Sequence, residues 1–509
     1  MLSELSLAAW GWFFLALFLG AMMALGYWAM RLVKSSDDFA VARGAYGPFF
    51  LAFALTATTA SGATFLGIPG ITYRVGFPGL WYAFIYPVGV YLGLLVSIKA
   101  VTRIGQKMGN RSIPEYLGDR YRSDALRVGI ALFSLMLLFY LAGQLVAGIV
   151  MFDQLLGLSP QWALALTAVV LMIYIGMGGA HADILTDGVQ GAFMIGIALL
   201  IAGLFVFGYG VEGGITGVTS RLQQLDAFTV EPLYPGDPLV GTLWGVFTIF
   251  FAHIPLGMLP HIGNKVWALK EGESQKTLIW ISFLFGLILP MIALGGILSR
   301  ALMGDDLLQA GATPNHAIPL LFISLFPHWL AAFLGIGVLC AVMSTADGLV
   351  VSSSQIFAND IYRRTIAPRL HADRSKQEVD HIALVISRWA TVLVLAVSAA
   401  MAWVLMDFNI ALLVWVGVGG TMAALAGPLF IGVFWKGATR AGAIASFIAG
   451  GSVFIVLKAG LVGSGWLLAQ SANPFACATL GQLVGIVVMF VVSTMTQKLD
   501  PAHVQDMFD

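Results

Sequence analysis

Long apolar stretches follow one another along almost the whole chain, with short polar segments between them. Thirteen stretches reach the roughly 20 residues that an α-helix needs to cross a bilayer. They are 9–30, 47–72, 79–98, 128–152, 161–179, 188–210, 240–260, 277–299, 329–358, 384–405, 410–434, 441–458 and 474–496. The runs are continuous and do not alternate, which is typical of spanning helices. The pattern predicts an all-α polytopic membrane protein with about 13 transmembrane helices in one domain, 1–509.

The composition agrees with this prediction. Of the 509 residues, 59% are hydrophobic and 10% are charged, which is far too little charge for the surface of a soluble protein of this size. The formal net charge is zero and the chain has no basic patch, so we expect a lipid bilayer as its surroundings and no nucleic acid as a partner.

The basic residues predict the orientation. If the N-terminus lies outside, all but four of the 26 Lys and Arg residues fall on the inner side. The four exceptions are Arg74, Arg221, Arg300 and Lys458. We therefore predict a multi-pass protein of the cell inner (cytoplasmic) membrane with its N-terminus outside and its C-terminus inside. The outer segment 211–239 is expected to be a loop with short helical pieces. The outer segment 301–328 has an apolar stretch, 318–326, that is too short to span and is expected to cover an outer vestibule.

The second span contains an unusual stretch, residues 54–70. Five hydroxyl side chains occur within nine positions, at Thr56, Thr58, Thr59, Ser61 and Thr64. The helix-weakening residues Gly62, Gly67, Pro69 and Gly70 follow. Irregular backbone at membrane depth survives where it lines a cavity or is covered by protein, and transporters use such breaks to bind solutes and ions. The alternative is tight helix packing through small residues.

The ninth span carries a second group of hydroxyls. Ser344 and Thr345 are adjacent, and Ala341 lies about one turn earlier on the same face. With carbonyls freed near Ala57 and Ala60, these residues would supply five oxygens without net charge. That set favours a weakly held monovalent cation such as Na⁺ over Ca²⁺ or Mg²⁺. The alternative is that each hydroxyl bonds a carbonyl one turn back.

Few ionisable residues fall in or beside the predicted spans, and such residues are functional hypotheses because burial of charge is costly. His253 lies within the seventh span, Asp347 within the ninth, and Asp187 at the inner start of the sixth. His253 is either a solute ligand or a neutral histidine bonded to a carbonyl. Asp347 is either functional or a carboxylate that reaches inner water.

Several motifs resemble those of the sodium:solute symporter family, in particular its pantothenate and proline members. The motifs are Thr56 to Phe65 with Gly67-Ile68-Pro69-Gly70, Gly179 followed by Thr186-Asp187 and Gln190, Pro260-His261 with Lys265, Ala341 to Thr345, and Pro428 to Lys436 with Arg440 to Ala443. They occur in the family's order over most of the chain.

The resemblance implies a leucine-transporter-like fold with two inverted five-helix repeats. The repeats would be 47–210 and 240–434, with 9–30 and 441–496 as peripheral helices. It also implies a sodium site formed by the carbonyls of Ala57, Ala60 and Ala341 and the hydroxyls of Ser344 and Thr345. Tyr140 corresponds to a solute-side tyrosine in proline-type members.

The sequence departs from the family pattern in three respects. Thr59 replaces an acidic residue of the proline-type members, and Ala252 or His253 takes the position of an aromatic solute contact. Some members bind a second sodium with Asp187 and with serines at the positions of Asp347 and Gly348. We therefore expect Asp187 and Asp347 to serve ion exit or a second cation, with a proton at Asp347 as the alternative.

These features together predict a sodium-coupled symporter that imports a small organic solute by alternating access. The solute would be a monocarboxylate, a pantothenate-like acid or an amino acid, and Na⁺ would be the coupling ion. The expected solute contacts are Thr59, Ser61, Thr64, Tyr82, Tyr140, Gln144 and His253. The alternative is a membrane solute sensor or channel on the same scaffold. No nucleophile–base pair stands out, so we expect no enzyme activity; the oligomeric state stays open.

Overall fold

The spanning helices follow the apolar stretches closely. The computed structural model describes residues 6–34 and 36–508, and for all of these except 36 and 173–178 it also describes the side chains. Ten single helices within this part of the chain are long and apolar enough to cross a membrane. Two bent helix pairs and one shorter apolar helix complete the set. Together they account for the thirteen predicted spans.

We number the spans in chain order. They are α1 Leu7–Leu32, α2 Pro48–Thr59 with Ala63–Val75, α3 Phe77–Met108, α4 Asp124–Leu156, α5 beginning with Pro160–Met172, α6 Gly179–Val206, α7 Leu243–Met258 with Pro260–Ala268, α8 Gln275–Met303, α9 His328–Leu370, α10 Lys376–Val404, α11 Ile410–Phe434, α12 Arg440–Lys458 and α13 Pro474–Met495. Shorter helices lie between them, including Ser36–Val41, Ile113–Tyr121, Gly214–Leu225 and Ala317–Leu325, and Pro501–Phe508 follows the last span.

Two spans are broken in mid-course. The two halves of α2 meet at 60° and those of α7 at 50°. In α2 the helix stops because Ala60 adopts an extended conformation, with φ −101° and ψ 90°. In α7 it stops at Leu259, and Pro260 then starts the second half, where its missing N–H costs no helical bond. The predicted break in 54–70 is thus a real interruption of the helix.

A third break separates α5 from α6. Gly179 has φ 53° and ψ −140°, a conformation open to glycine but strained for other residues. A side chain here would also collide with the Phe39 carbonyl oxygen. The break lets the chain cross from α5 into α6 with almost no loop.

Several predicted boundaries were wrong, and two of the errors matter for function. We predicted that α6 begins at 188, but it begins at Gly179, so Asp187 lies inside the helix and not at its start. We ended α7 at 260, but its second half runs to Ala268 and buries Lys265, which the charge count had assigned to an inner loop. The cause is the same in both cases, since charged side chains shorten an apolar run even when tertiary contacts bury them.

Glycines allow the broken spans to pack closely against their neighbours. A Cβ at Gly93 of α3 would overlap the carbonyl oxygen of Ile254, next to the α7 break. A Cβ at Gly296 of α8 would overlap the carbonyl oxygen of Pro69 in the second half of α2. Both broken helices are therefore covered by protein at their irregular backbone, as a hydrocarbon environment requires.

We predict that Gly93→Ala lowers the melting temperature of the purified protein sharply, because the new methyl group can be accommodated only if α3 moves away from α7. Overpacking of this kind costs about 1–3 kcal/mol or more. The matched control is Gly196→Ala in α6, where a Cβ would meet nothing within 4 Å. Equal melting temperatures for both variants in detergent would contradict the proposed close contact.

Candidate functional site

The first half of α2 ends against the middle of α9. The Ser344 hydroxyl donates to the Ala57 carbonyl at 3.1 Å and lies 3.4 Å from the Ala341 carbonyl. All three residues are fully buried. Three of the five oxygens that the sequence suggested as sodium ligands therefore lie together in the structure.

The fourth oxygen, the hydroxyl of Thr345, belongs to the same contact. It donates to the Thr58 carbonyl at 3.2 Å. The Tyr140 hydroxyl interacts with the side chains of both Ser61 and Thr345 and so bridges the two sides of the break. Ala60 forms the break itself, and its amide still closes the last turn onto the Thr56 carbonyl at 3.0 Å.

The residues at this contact fit a monovalent cation. They are neutral oxygen ligands from two helices, buried from solvent, and the carbonyl of Ala57 lies in the last turn before the break at Ala60. Neutral oxygens suit a hard cation, and the absence of a formal charge in the set disfavours a divalent ion. When Na⁺ is bound, the two hydroxyls would turn their lone pairs toward it.

A buried ammonium group lies next to this contact. Lys265 of α7 donates to the Thr58 hydroxyl and to Asp187 Oδ2, both at 2.5 Å, and pairs with Asp183 Oδ2 at 3.0 Å. The lysine is 4% exposed and Asp187 is fully buried. Three donors on one ammonium thus connect α2, α6 and α7.

Asp347 of α9 completes an acidic cluster around this lysine. Carboxylate oxygens of Asp183, Asp187 and Asp347 lie within 4.8 Å of one another, and Asp347 also interacts electrostatically with Lys265. Within the described part of the chain, Asp183 Oδ1 and Asp187 Oδ1 are buried without a hydrogen-bond partner. The cluster holds more carboxylates than ammonium groups, so it attracts cations.

Thr58 joins the neutral and the charged groups. Its hydroxyl accepts from Lys265 and lies 2.7 Å from Asp187, while its carbonyl accepts from Thr345. Any movement of α2 against α9 at the candidate sodium site therefore changes the geometry of the ion pair.

The sequence analysis missed Asp183 and the role of Lys265. Asp183 precedes Asp187 by four residues, a spacing that puts both carboxylates on one helix face, and this signal was available. The burial of Lys265 was not visible, because it depends on the bend of α7.

A chamber lies beside the acidic cluster. It has an empty volume of about 410 Å³, and its polar lining includes Asp183, His261, Asn264, Lys265, Ser352 and Gln355. Gly348 also borders it, and a Cβ at that position would lie 3.7 Å from Asp183 Oδ1. The missing side chain at Gly348 therefore leaves Asp183 open toward the chamber.

A separate cavity lies on the other side of the α2 break. Its lining is Thr59, Ser61, Ala63, Thr64, Ile68, Tyr82, Tyr86, Tyr140, His253, Leu256, Val414, Trp415 and Val418. None of these lining residues is an aspartate, glutamate, lysine or arginine, and His253 is the one imidazole among them.

Six of the seven predicted solute contacts line this cavity. The exception is Gln144, which is fully buried and accepts a hydrogen bond from the Gly62 amide at 2.9 Å. Gln144 thus satisfies a backbone donor that the break in α2 leaves free. Tyr86 and Trp415 line the cavity as well and were not predicted, because nothing in their own segments distinguishes them from other buried aromatic residues.

Comparisons with known proteins agree with this architecture. A model of the sodium:solute symporter family matches residues 39–450. The sodium/pantothenate symporter of Haemophilus influenzae is 27% identical over 80% of this chain and 81% of its own length. The sodium/proline symporter of Salmonella typhimurium is 28% identical over 96% of this chain and 93% of its own length.

Two solved structures share the fold. A Na⁺-coupled sialic acid symporter in a substrate-bound outward-open state superposes with a TM-score of 0.77 at 20% identity, over 97% of this chain and all of that one. A nucleobase-cation-symport-1 family transporter superposes with a TM-score of 0.53 at 14% identity, over 94% of this chain and all of that one.

The chain belongs to the sodium:solute symporter family. It is a sodium-coupled solute symporter and a multi-pass membrane protein with the leucine-transporter fold, as the sequence predicted. The individual ligands carried over from the family stay predictions.

We predict that Lys265→Met lowers the free energy of unfolding by about 3–5 kcal/mol, because it leaves buried carboxylates without their counter-charge. Adding Asp187→Asn to this variant should restore part of the loss, since one of those carboxylates is then neutral. Denaturant unfolding in detergent measures both effects. The exposed Lys270→Met serves as the control, with an expected change within about 0.5 kcal/mol. A Lys265→Met variant as stable as this control would contradict the buried ion pair.

Proposed function

We propose that the protein imports a small organic acid into the cell together with Na⁺ across the cytoplasmic membrane, with its N-terminus outside and its C-terminus inside. The observation that carries the proposal is the convergence of neutral oxygens from α2 and α9 beside a separate cavity lined by hydroxyl and aromatic side chains. The excess of basic residues on one side of the predicted topology supports the orientation.

Sodium would bind to the carbonyls of Ala57, Ala60 and Ala341 and to the hydroxyls of Ser344 and Thr345. Binding would join the first half of α2 to α9 and favour the conformation in which the solute cavity is formed. An ion shifts this equilibrium only by its difference in affinity between the two conformations. The ligands come from two separate helices, and this gives Na⁺ such a difference.

The break in α2 would couple the ion to the solute. Ser61 lines the cavity and also interacts with Tyr140, which in turn interacts with Thr345. A change at the sodium ligand Thr345 therefore reaches the solute cavity through one tyrosine. The inward gradient of Na⁺ supplies the driving force, with about 2.3 kcal/mol per charge for each 100 mV in addition to the concentration term.

The acidic cluster would receive the ion when it leaves. Asp187 and Asp347 lie beside the candidate sodium site, and Asp183 continues the path into the inner chamber. Surplus carboxylates around Lys265 favour a cation that moves in this direction.

The solute carboxylate would be held by hydroxyl groups. The amides that open the second half of α2 already have partners: Gly62 donates to Gln144, and Ala63 donates to the Ser61 hydroxyl at 3.1 Å. The half-helix terminus therefore has little capacity left for an anion. Ser61, Thr64 and Tyr140 are hydroxyl donors that line the cavity, whereas the Thr59 hydroxyl donates to the Thr56 carbonyl at 2.8 Å.

We predict that Ser344→Ala and Thr345→Ala each raise the sodium concentration for half-maximal uptake, because a site of about five oxygens loses one. A loss of roughly 1–2 kcal/mol corresponds to about a 5- to 30-fold increase. Solute uptake into proteoliposomes, measured over a range of Na⁺ concentrations, tests this. The control on the same helix is Ser352→Ala, whose hydroxyl bonds the Leu349 carbonyl at 3.1 Å. If both variants keep the sodium dependence of the wild type, the site lies elsewhere.

We predict that Asp187→Asn slows turnover and leaves the order of preference among solutes unchanged, because Asp187 borders the ion path and does not line the solute cavity. Thr64→Val is the matched contrast, since this residue lines the cavity and should alter solute half-saturation more than sodium dependence. Initial rates for a panel of solutes measure both. A changed solute order in Asp187→Asn would contradict its role in ion release.

A further inference from the structure

A hydrogen bond within α7 fixes the tautomer of His253. Its Nδ1 lies 2.5 Å from the Ile249 carbonyl oxygen, one turn back in α7. A carbonyl oxygen can only accept, so Nδ1 carries the proton. In a neutral imidazole, the other nitrogen, Nε2, then has a free lone pair and acts as an acceptor.

The surroundings of the ring favour the neutral form. His253 is 2% exposed and packs among aromatic rings, with Trp415 at 4.3 Å, Tyr86 at 5.3 Å and Tyr82 at 5.9 Å between centroids. No carboxylate is among the residues that line the cavity, so nothing there pairs with an imidazolium. Buried charges without a partner are costly, and the ring is therefore an uncharged acceptor.

Neighbouring hydroxyls have other partners. The Tyr86 hydroxyl lies 3.4 Å from the Thr64 hydroxyl, and the Tyr82 hydroxyl interacts with the Trp415 side chain. His253 lines the solute cavity together with all four of these residues. The aromatic end of the cavity thus presents an acceptor, whereas the end near Ser61 and Tyr140 presents hydroxyl donors.

We infer that His253 selects solutes that carry a hydrogen-bond donor in addition to a carboxylate. This inference rests on the proposed function and narrows its solute class to small hydroxy acids and amino acids, as opposed to unsubstituted monocarboxylates. The physical reason is that an unsubstituted acid packed against Nε2 would leave this buried acceptor without a hydrogen-bond donor. A site built to bond a substrate O–H or N–H rejects the analogue that lacks it.

Matched pairs of solutes test the inference. Lactate differs from propionate, and 3-hydroxybutyrate from butyrate, by one hydroxyl group, and alanine differs from propionate by one amino group. Sodium-driven uptake into proteoliposomes gives a half-saturation value for each compound. In the wild type, the donor-bearing member of at least one pair should have a value lower by roughly 10-fold or more, as expected for a buried acceptor that is left unpaired.

Two substitutions at His253 distinguish the effect of its hydrogen-bond acceptor from the effect of its ring shape. His253→Phe keeps an aromatic ring but has no hydrogen-bond acceptor. The half-saturation values of the two solutes in a pair should therefore become about equal. His253→Gln supplies an amide oxygen and should keep part of the preference. His328→Phe is the control, because this exposed histidine at the start of α9 lines neither the solute cavity nor the chamber beside the acidic cluster, and the ratio within each pair should stay at its wild-type value.

Three results would overturn the inference. They are a wild type that does not distinguish the members of any pair or prefers the unsubstituted acid, a His253→Phe variant that keeps the wild-type ratio, and the absence of sodium-driven uptake for every compound of the set. The wild-type ratio decides the question even if a variant does not fold. Sodium-driven uptake of a different solute would leave the proposed symport intact while refuting this solute class.

Discussion

The structure depends on how the protein satisfies the interrupted backbone of α2. In hydrocarbon, each unpaired N–H or C=O group costs several kcal/mol, so a broken span persists only if neighbouring helices provide partners. Gln144 and Ser61 take the amides after the break, and Ser344 and Thr345 donate to carbonyls before it. The hydroxyls that stabilise the break are also those that would hold an ion. Stability and ion binding therefore use the same atoms, and this is why the contact between α2 and α9 can respond to sodium.

The ion pair of Lys265 also constrains the contact between α2 and α9. In the proposed function, the neutral oxygen site would bind Na⁺ weakly enough to release it, and the adjoining carboxylates would offer the ion its next position. Thr58 connects the two through its carbonyl and its hydroxyl. Because Thr58 contacts both Lys265 and Thr345, a change in the contact between α2 and α9 also changes the geometry of the ion pair. The solute cavity lies on the opposite side of the break and has a different chemistry, uncharged and aromatic, so ion and solute are separated in space but share the backbone of one short turn.

Much of this arrangement could be predicted from the sequence. The spanning helices were predicted because they are long apolar runs. The break in α2 was predicted because hydroxyl residues, glycines and a proline cluster in 54–70. The spacing of Ser344 and Thr345 and the family resemblance predict the same sodium ligands, and the structure brings Ser344 next to the carbonyls of Ala57 and Ala341. Six of seven expected solute contacts line one cavity, since they lie on faces turned toward the break.

The other features of the site depend on tertiary contacts, which a local sequence pattern does not reveal. Lys265 looks like a loop residue because it follows an apolar run, and only the bend of α7 carries it into the bundle. Gln144 was predicted as a solute contact, and the bond from the Gly62 amide to its side-chain oxygen exists only because α2 is broken there. The tautomer of His253 depends on the bond between its ring and the Ile249 carbonyl, which requires the rotamer and not only the residue type.

Hydrogen exchange of the purified protein, in Na⁺ and in choline of equal concentration, tests the central claim most directly. If sodium binds between α2 and α9, it should slow amide exchange in two segments, the break around residues 57–64 and the middle of α9 around residues 341–348, without any solute present. Protection confined to other helices, or equal exchange in both salts, would contradict the account.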